Sequence, residues 1–312
     1  MNPPPPPLTF SRRKDGPPPD PTLGDEDLAA ARSALAGGRW ADARALLIET
    51  ADDWDRRGHR ALVLADASSA EAWAGDWQQT EPDSPDAALL LACATTARAL
   101  AGKRPPGVAR TAITAAAGAA PDDPTPHLAA LRLAAHTGSV DECRRAFAEV
   151  CARHPEHHPA HHLMTAVAAD AFAEDEVYAF ARDAAAAAPA DSPLALLPVV
   201  AHAERFRVLA HGAGNGRPDA AAQEHWSGRR ARFAVRSAFD WWLEWDSGND
   251  HPRRAVDLNF LAHAKFHEGR LAEAAALFQR IGPLLTAAPW SYAGSNPARA
   301  FRSARDAAYG AA

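Results

Sequence analysis

The stretch PDDPTPHLAALRLAAHTGSVDECRRAFAEVCARHP, residues 121–155, decides the fold. It begins and ends on proline, and Gly138 divides it into two helix-length halves. Proline fixes φ and lacks a backbone donor, so a helix stops before it. The pattern then repeats: Pro121, Pro155 and Pro189 are each separated by 34 residues. His127 and His161 keep the same offset, and so do Glu142 and Glu176. A period of this length, with two helices per period, predicts stacked helix hairpins.

Composition points the same way. Alanine dominates, and it is the best helix former with almost no side chain to fill a deep core. Such helices pack backbone near backbone. Strand formers are sparse, and no alternating apolar run of useful length occurs. The chain of 312 residues has a net charge of −6 and a pI near 6.1. That balance gives no reason to expect a nucleic acid partner. Its basic residues are nearly all arginine, with lysine only at 14, 103 and 265. Cys93, Cys143 and Cys151 are odd in number and form no CxxC pair, which argues against a disulfide framework or a structural zinc site. The opening Met-Asn-Pro-Pro-Pro-Pro-Pro has no apolar core for a signal peptide, and no run is long enough to span a membrane. A cytoplasmic address, no membrane partner and no cofactor are the expectations.

Four regions are expected: a disordered proline-rich tail over 1–24, helical repeats over 25–211, a glycine-rich loop over 212–222, and a Trp-rich helix with a final repeat and cap over 223–312. From Asp25 the chain reads as helices of about 12 to 16 residues broken by glycine or proline.

The repeats resemble the tetratricopeptide family. Its consensus has a large residue at position 4, small ones at 8 and 20, often glycine at 15, a large apolar residue at 24 and proline at 32. The segment 124–155 sets Gly138 at 15, Cys143 at 20, Phe147 at 24 and Pro155 at 32. The segment from 255 sets Leu258, Ala262, Gly269, Ala274 and Phe278 at 4, 8, 15, 20 and 24. Trp54, Gly58, Ala70 and Pro82 match in another unit, and Ala31, Gly38, Ala43 and Leu47 in the first. Small residues at 8 and 20 let two helices approach closely, and the large ones fill the space beside them. The register is imperfect. The step from Pro82 to Pro121 is 39 residues, with extra chain expected at 102–107, Phe172 stands where glycine is usual, and Pro193 and Pro198 interrupt the expected helix. The resemblance implies an all-α superhelix of six or seven antiparallel hairpins with a continuous concave side.

It also implies a binding function. Position 9 of the first helices, which faces the groove in that family, reads Arg32, His59, Arg98, Arg132, Ala166 and His263. Position 5 adds Asp55, His162 and Asn259, and Asn259–His263 is similar to the polar pairs that clamp a peptide's terminal carboxylate in some members. The expected protein is therefore a non-enzymatic scaffold binding a protein or peptide, acidic or with a free C-terminal carboxylate, through Arg32, His59, Arg98, Arg132, Asn259 and His263.

Two other readings compete. Asp240 and Glu244, one helical turn apart among Trp241, Trp242 and Trp245, have the composition of a sugar-binding or glycosidase cleft, or of a Trp-rich core seam with solvated acids. His154, His157, His158, His161 and His162 offer i,i+4 pairs that suit a metal, although apart from Glu156 no Asp, Glu or Cys nearby completes a set, and a turn with exposed histidines is the other reading. His263, His267 and Glu268 superficially resemble a zinc-protease helix, but the glutamate follows the wrong histidine.

Overall fold

In the computed structural model, residues 18–212, 224–245, 250–294 and 296–311 are described. Among them there is no strand. The helices are α1 (Glu26–Ala36), α2 (Trp40–Thr50), α3 (Trp54–Ala65), α4 (Ala70–Thr80), α5 (Pro85–Leu100), α6 (Pro106–Ala119), α7 (Thr125–Thr137), α8 (Val140–Arg153), α9 (His158–Ala171) and α10 (Glu174–Ala187). A 3-10 turn (Pro193–Leu196) leads into α11 (Leu197–Gly212). Then follow α12 (Arg229–Trp245), α13 (Arg254–His267), α14 (Leu271–Ile281) and α15 (Pro297–Ala311). Each helix packs on its neighbour in sequence, and α1, α3, α5, α7, α9, α11 and α13 also pack one on the next. The result is an all-α stack of helix hairpins whose first helices form one wall. The expected fold class is therefore observed.

Local chemistry sets these boundaries. Pro82, Pro121, Pro155, Pro189 and Pro283 each stand two residues beyond a helix end, where proline blocks another turn. Asp25, Asp53 and Ser84 accept from the backbone N–H groups of Leu28, Arg56 and Ala87, capping α1, α3 and α5. Ser139 and Glu142 form a reciprocal capping box on α8. Gly38 joins α1 to α2 at a φ of +89°, with the Trp73 ring lying where a Cβ would point. Any other residue there would be strained and would collide with that ring.

The small residues keep the helices close. Ala31, Ala43, Gly58, Ala70, Cys143, Ala262 and Ala274 are all buried. Around them Leu28, Leu35, Leu47, Leu64, Leu90 and Trp77 are completely covered, each contributing roughly 1.5–3 kcal/mol of hydrophobic stabilisation. Buried Arg57 of α3 reaches Asp86 at the start of α5 and Asp123 before α7. Arg60 reaches Asp25 at the start of α1. The first helices are thus tied together by charge as well as by packing.

Several sequence expectations change. Residues 1–17 of the expected tail, and nearly all of the expected loop 212–222, lie outside the described residues. Residues 18–24 are packed and not loose: Thr22 is buried, and Leu284 sits 3.5 Å from where a Gly24 Cβ would be. Pro198 does not interrupt a helix. It occupies the first turn of α11, where its missing N–H costs nothing. The long repeat accommodates its extra length in a 16-residue α5 and in the turn before Pro106.

Candidate functional site

Three helix beginnings meet at the middle of the stack. Asp55 lies in the first turn of α3, His158 opens α9, and Asp257 lies in the first turn of α13. A carboxylate near a helix N-terminus is stabilised by the macrodipole and by backbone N–H groups without partners. The convergence is long-range. The His158 backbone N–H donates to Asp55 Oδ1 over 3.0 Å, across 103 residues of sequence. His251, in the turn before α13, places Nε2 3.1 Å from Asp55 Oδ2, 196 residues away.

Asp257 faces the two histidines of one i,i+4 pair. His158 Nε2 lies 2.9 Å from both of its oxygens, and His162 Nε2 lies 3.3 Å from Oδ1. The other pair turns aside. His157 Nδ1 accepts from the Ala160 N–H and caps α9, and His161 packs edge-on to Phe147 with its Nδ1 on the His157 carbonyl. His154, at the end of α8, stands 3.6 Å from Asp55.

The electrostatics follow from burial. Burial alone would raise both carboxyls. Hydrogen bonds from His154 and His251 reverse this at Asp55, and the charge and hydrogen bond of His158, with His162, reverse it at Asp257. Both stay well below the usual carboxylate range. Burial pushes His157 down to about 4, and it lowers His158 as well, with the Asp257 charge opposing it. The hydrogen bond to Asp55 raises His154.

Beside this centre lies a cavity of about 490 Å³. Its walls include Asp20 and Leu23 before α1, His59 and Leu62 of α3 with Asp66 at its end, Leu128 and Arg132 of α7, His162 and Leu163 of α9, Val200 and Glu204 of α11, Val256 and Phe260 of α13, Arg253 before it, and Thr286, Ala287, Ala288 and Tyr292 after α14. Most of this lining is apolar. Glu204 is already engaged, accepting from the Tyr292 hydroxyl and pairing with Arg207. Arg132 Nη1 and Arg253 Nε are buried with no hydrogen-bond partner, as is His59 Nε2. Burial pulls the Arg253 guanidinium down, and Asp257 and Asp55 only partly oppose this. Burial takes His59 to about 4, helped by the Arg253 charge and opposed by the Thr22 backbone. A neutral imidazole keeps one nitrogen as an acceptor.

The residues predicted to line the groove divide. His59 and Arg132 line the cavity. Arg32 is half-buried outside the lining, and Arg98 turns to Glu71, 3.5 Å away. Asn259 and His263 face the core, which corrects the expected carboxylate clamp. The Asn259 amide donates to the Ala255 and Leu284 carbonyls, and its oxygen accepts from Thr286 N–H and Trp290 Nε1. His263 is enclosed by Phe206, Trp226 and Trp290.

The Asp240–Glu244 cleft is not formed. Both acids are exposed, Trp242 is buried, and Trp241 donates to the Ala190 carbonyl at 2.6 Å. Asp240 borders a pocket of about 620 Å³ with Arg232, Arg236, Lys265 and Glu273, which Glu244 does not line. Of the three thiols, Cys93 and Cys143 are buried and Cys151 is half-buried. Sequence reading missed His251, Arg253 and Asp257. They lie in a helix start of ordinary appearance, with no local pattern linking them to α9. No protein-family model matches the chain, and no curated protein matches it either. No described helix is long and apolar enough to cross a membrane.

Proposed function

We propose that the chain is a non-enzymatic, tetratricopeptide-like binding scaffold whose central cavity takes the free C-terminal end of a peptide with an apolar last residue. One observation carries this reading: two guanidinium groups, Arg132 and Arg253, have buried nitrogens without partners on the wall of a mostly apolar cavity. Although Asp20, Asp66 and Glu204 also line the cavity, a buried guanidinium nitrogen without a partner favours an anionic acceptor, and an arginine–carboxylate contact is both strong and directional. The bare His59 nitrogen accepts a hydrogen bond, which the last amide N–H of a peptide supplies. A volume of about 490 Å³ suits a terminal residue with its neighbour better than a long extended segment.

The experiment is selection from a library of random peptides displayed with free C-termini, followed by calorimetric titration of the enriched sequence as acid and as amide. The expected result is enrichment of Leu, Val or Phe at the last position. The amide and the Arg132→Gln variant should each bind about tenfold or more weakly, since a charge-assisted hydrogen bond contributes roughly 1.5–3 kcal/mol. Equal binding of acid and amide would refute the proposal.

A further inference from the structure

The cluster beside the cavity has the composition and spacing of a metal site, independently of any peptide. The structure assigns one divalent first-row transition-metal ion to the junction of α9 and α13, held by His158, His251 and Asp257, with His162 as the fourth ligand.

Geometry is the first support. One ligand atom from each of His158, His251 and Asp257 lies within 4.8 Å of the other two. Two donors each about 2.0–2.1 Å from one zinc-like ion are about 2.9 Å apart at a right angle and about 3.4 Å apart at a tetrahedral angle. The His158–Asp257 and His162–Asp257 separations of 2.9 and 3.3 Å fall at these two values. The rings of His158 and His162 lie 4.0 Å apart and tilt by only 30°, so both present their edges to the same carboxylate. To close on an ion His251 must release either the Arg253 N–H from Nδ1 or Asp55 from Nε2, and His162, outside the 4.8 Å cluster, must move in.

Unsatisfied polarity is the second support. His162 Nε2 is buried and stands 3.3 Å from Asp257 Oδ1 without the alignment of a hydrogen bond. A core histidine needs a single acceptor, whereas here several imidazoles crowd two carboxylates.

Charge is the third. Asp55 and Asp257 are both buried. Among the described residues neither forms an ion pair with an arginine or lysine, and the groups within ion-pair distance are imidazoles, although the Arg253 guanidinium lies near enough to feel both charges. A divalent cation supplies the compensating charge directly, and Asp55 is placed to accept from the His251 ring once that ring is a ligand. A set of imidazoles with one carboxylate selects zinc, cobalt, nickel, copper or iron over calcium or magnesium, which take oxygen donors. His162 and Arg253 belong to both the cavity wall and this centre, so the cavity gives the ion a route inward.

The test uses the full chain without a histidine tag, stripped with chelator and titrated with Co²⁺ and Zn²⁺. Absorption in the visible band follows cobalt, and elemental analysis after gel filtration counts zinc. The expected result is one equivalent per chain, a cobalt spectrum of low coordination number, and a zinc-dependent rise in Tm of roughly 5 °C or more. His251→Ala, at a half-buried turn position, and Asp257→Asn should each lower affinity by at least tenfold and abolish the rise. His136→Ala, on the exposed face of α7, should change nothing. Circular dichroism reports folding, and if Asp257→Asn fails to fold, His251→Ala decides alone. Less than a tenth of an equivalent on the wild-type chain, or unchanged binding in His251→Ala, would overturn the assignment.

Discussion

His158, His162 and His251 lie against Asp55 and Asp257, whereas His202, His225, His263 and His267 lie against rings. In the second group His202 stacks on Tyr178 at 4.2 Å, and Phe206 stands 5.5 Å from His263 and 5.2 Å from His267. Among the described residues no carboxylate forms an ion pair with any of these four histidines. The residue type is the same and so is the burial of His158, His202 and His263. The difference is the acceptor that the fold delivers from far along the chain. Where a helix start brings an aspartate, the imidazoles form a polar centre able to ligate. Where it brings tryptophan and phenylalanine, they serve as core packing that must remain neutral.

The contrast is open to attack from either side. The largest expected effect is at the polar centre. Asp257→Ala removes the acceptor shared by His158 and His162 and leaves both rings buried without it. Urea unfolding at pH 7 should show a loss of about 3 kcal/mol, since a buried donor left unsatisfied costs about 1–3 kcal/mol. In the aromatic group His202→Leu removes only a long 3.4 Å contact to His225 Nε2 and should stay within about 1.5 kcal/mol of wild type.

Acid should act next most strongly. Burial, with His225 and Arg230 nearby, pushes His202 from its ordinary 6.5 to about 3. Between these values the unfolded chain binds the proton and the folded chain does not, so stability falls as pH drops below 6.5 and is level above it. At pH 5 the loss from this residue should be about 2 kcal/mol, at about 1.4 kcal/mol per pH unit. Urea melts at pH 7 and pH 5 measure it, and His202→Leu should flatten that part of the slope.

A smaller effect tests the place given to Asn259. Trp290→Phe removes the indole donor to its side-chain oxygen and should cost about 1 kcal/mol by thermal melting. Peptide affinity should fall only slightly, because Asn259 does not line the cavity but holds the segment whose Thr286, Ala287 and Ala288 do. Smallest of all, Asp240→Asn combined with Glu244→Gln, both at exposed positions, should stay within about 0.5 kcal/mol.

How far each region could be read from sequence depends on whether its signal is local. The prolines at 82, 121, 155, 189 and 283 mark helix ends because proline acts on its own backbone. Small residues at 31, 43, 58, 70, 262 and 274 mark close contacts because a missing side chain is a local fact. The groove face was partly legible. His59 and Arg132 follow the helical period onto the cavity wall, but Arg98 is drawn away by Glu71, and Asn259 is drawn inward by the chain at 284–290. The i,i+4 histidines were visible, yet their aspartates were not. Asp55 and Asp257 stand about a hundred residues from His158 on either side, and nothing near them signals that the start of α13 reaches α9 and the turn before it reaches α3. The ordered segment at 18–24 escaped for the same reason, since its neighbour is Leu284.

The central claim is that distant aspartates, and not histidine content, make the site. Crystals of the full chain soaked in zinc and recorded at the zinc absorption edge test it most directly. The account predicts one anomalous peak between His158, His251 and Asp257 and none among His202, His225, His263 and His267. A peak in the aromatic group, or none at the junction of α9 and α13, would contradict it.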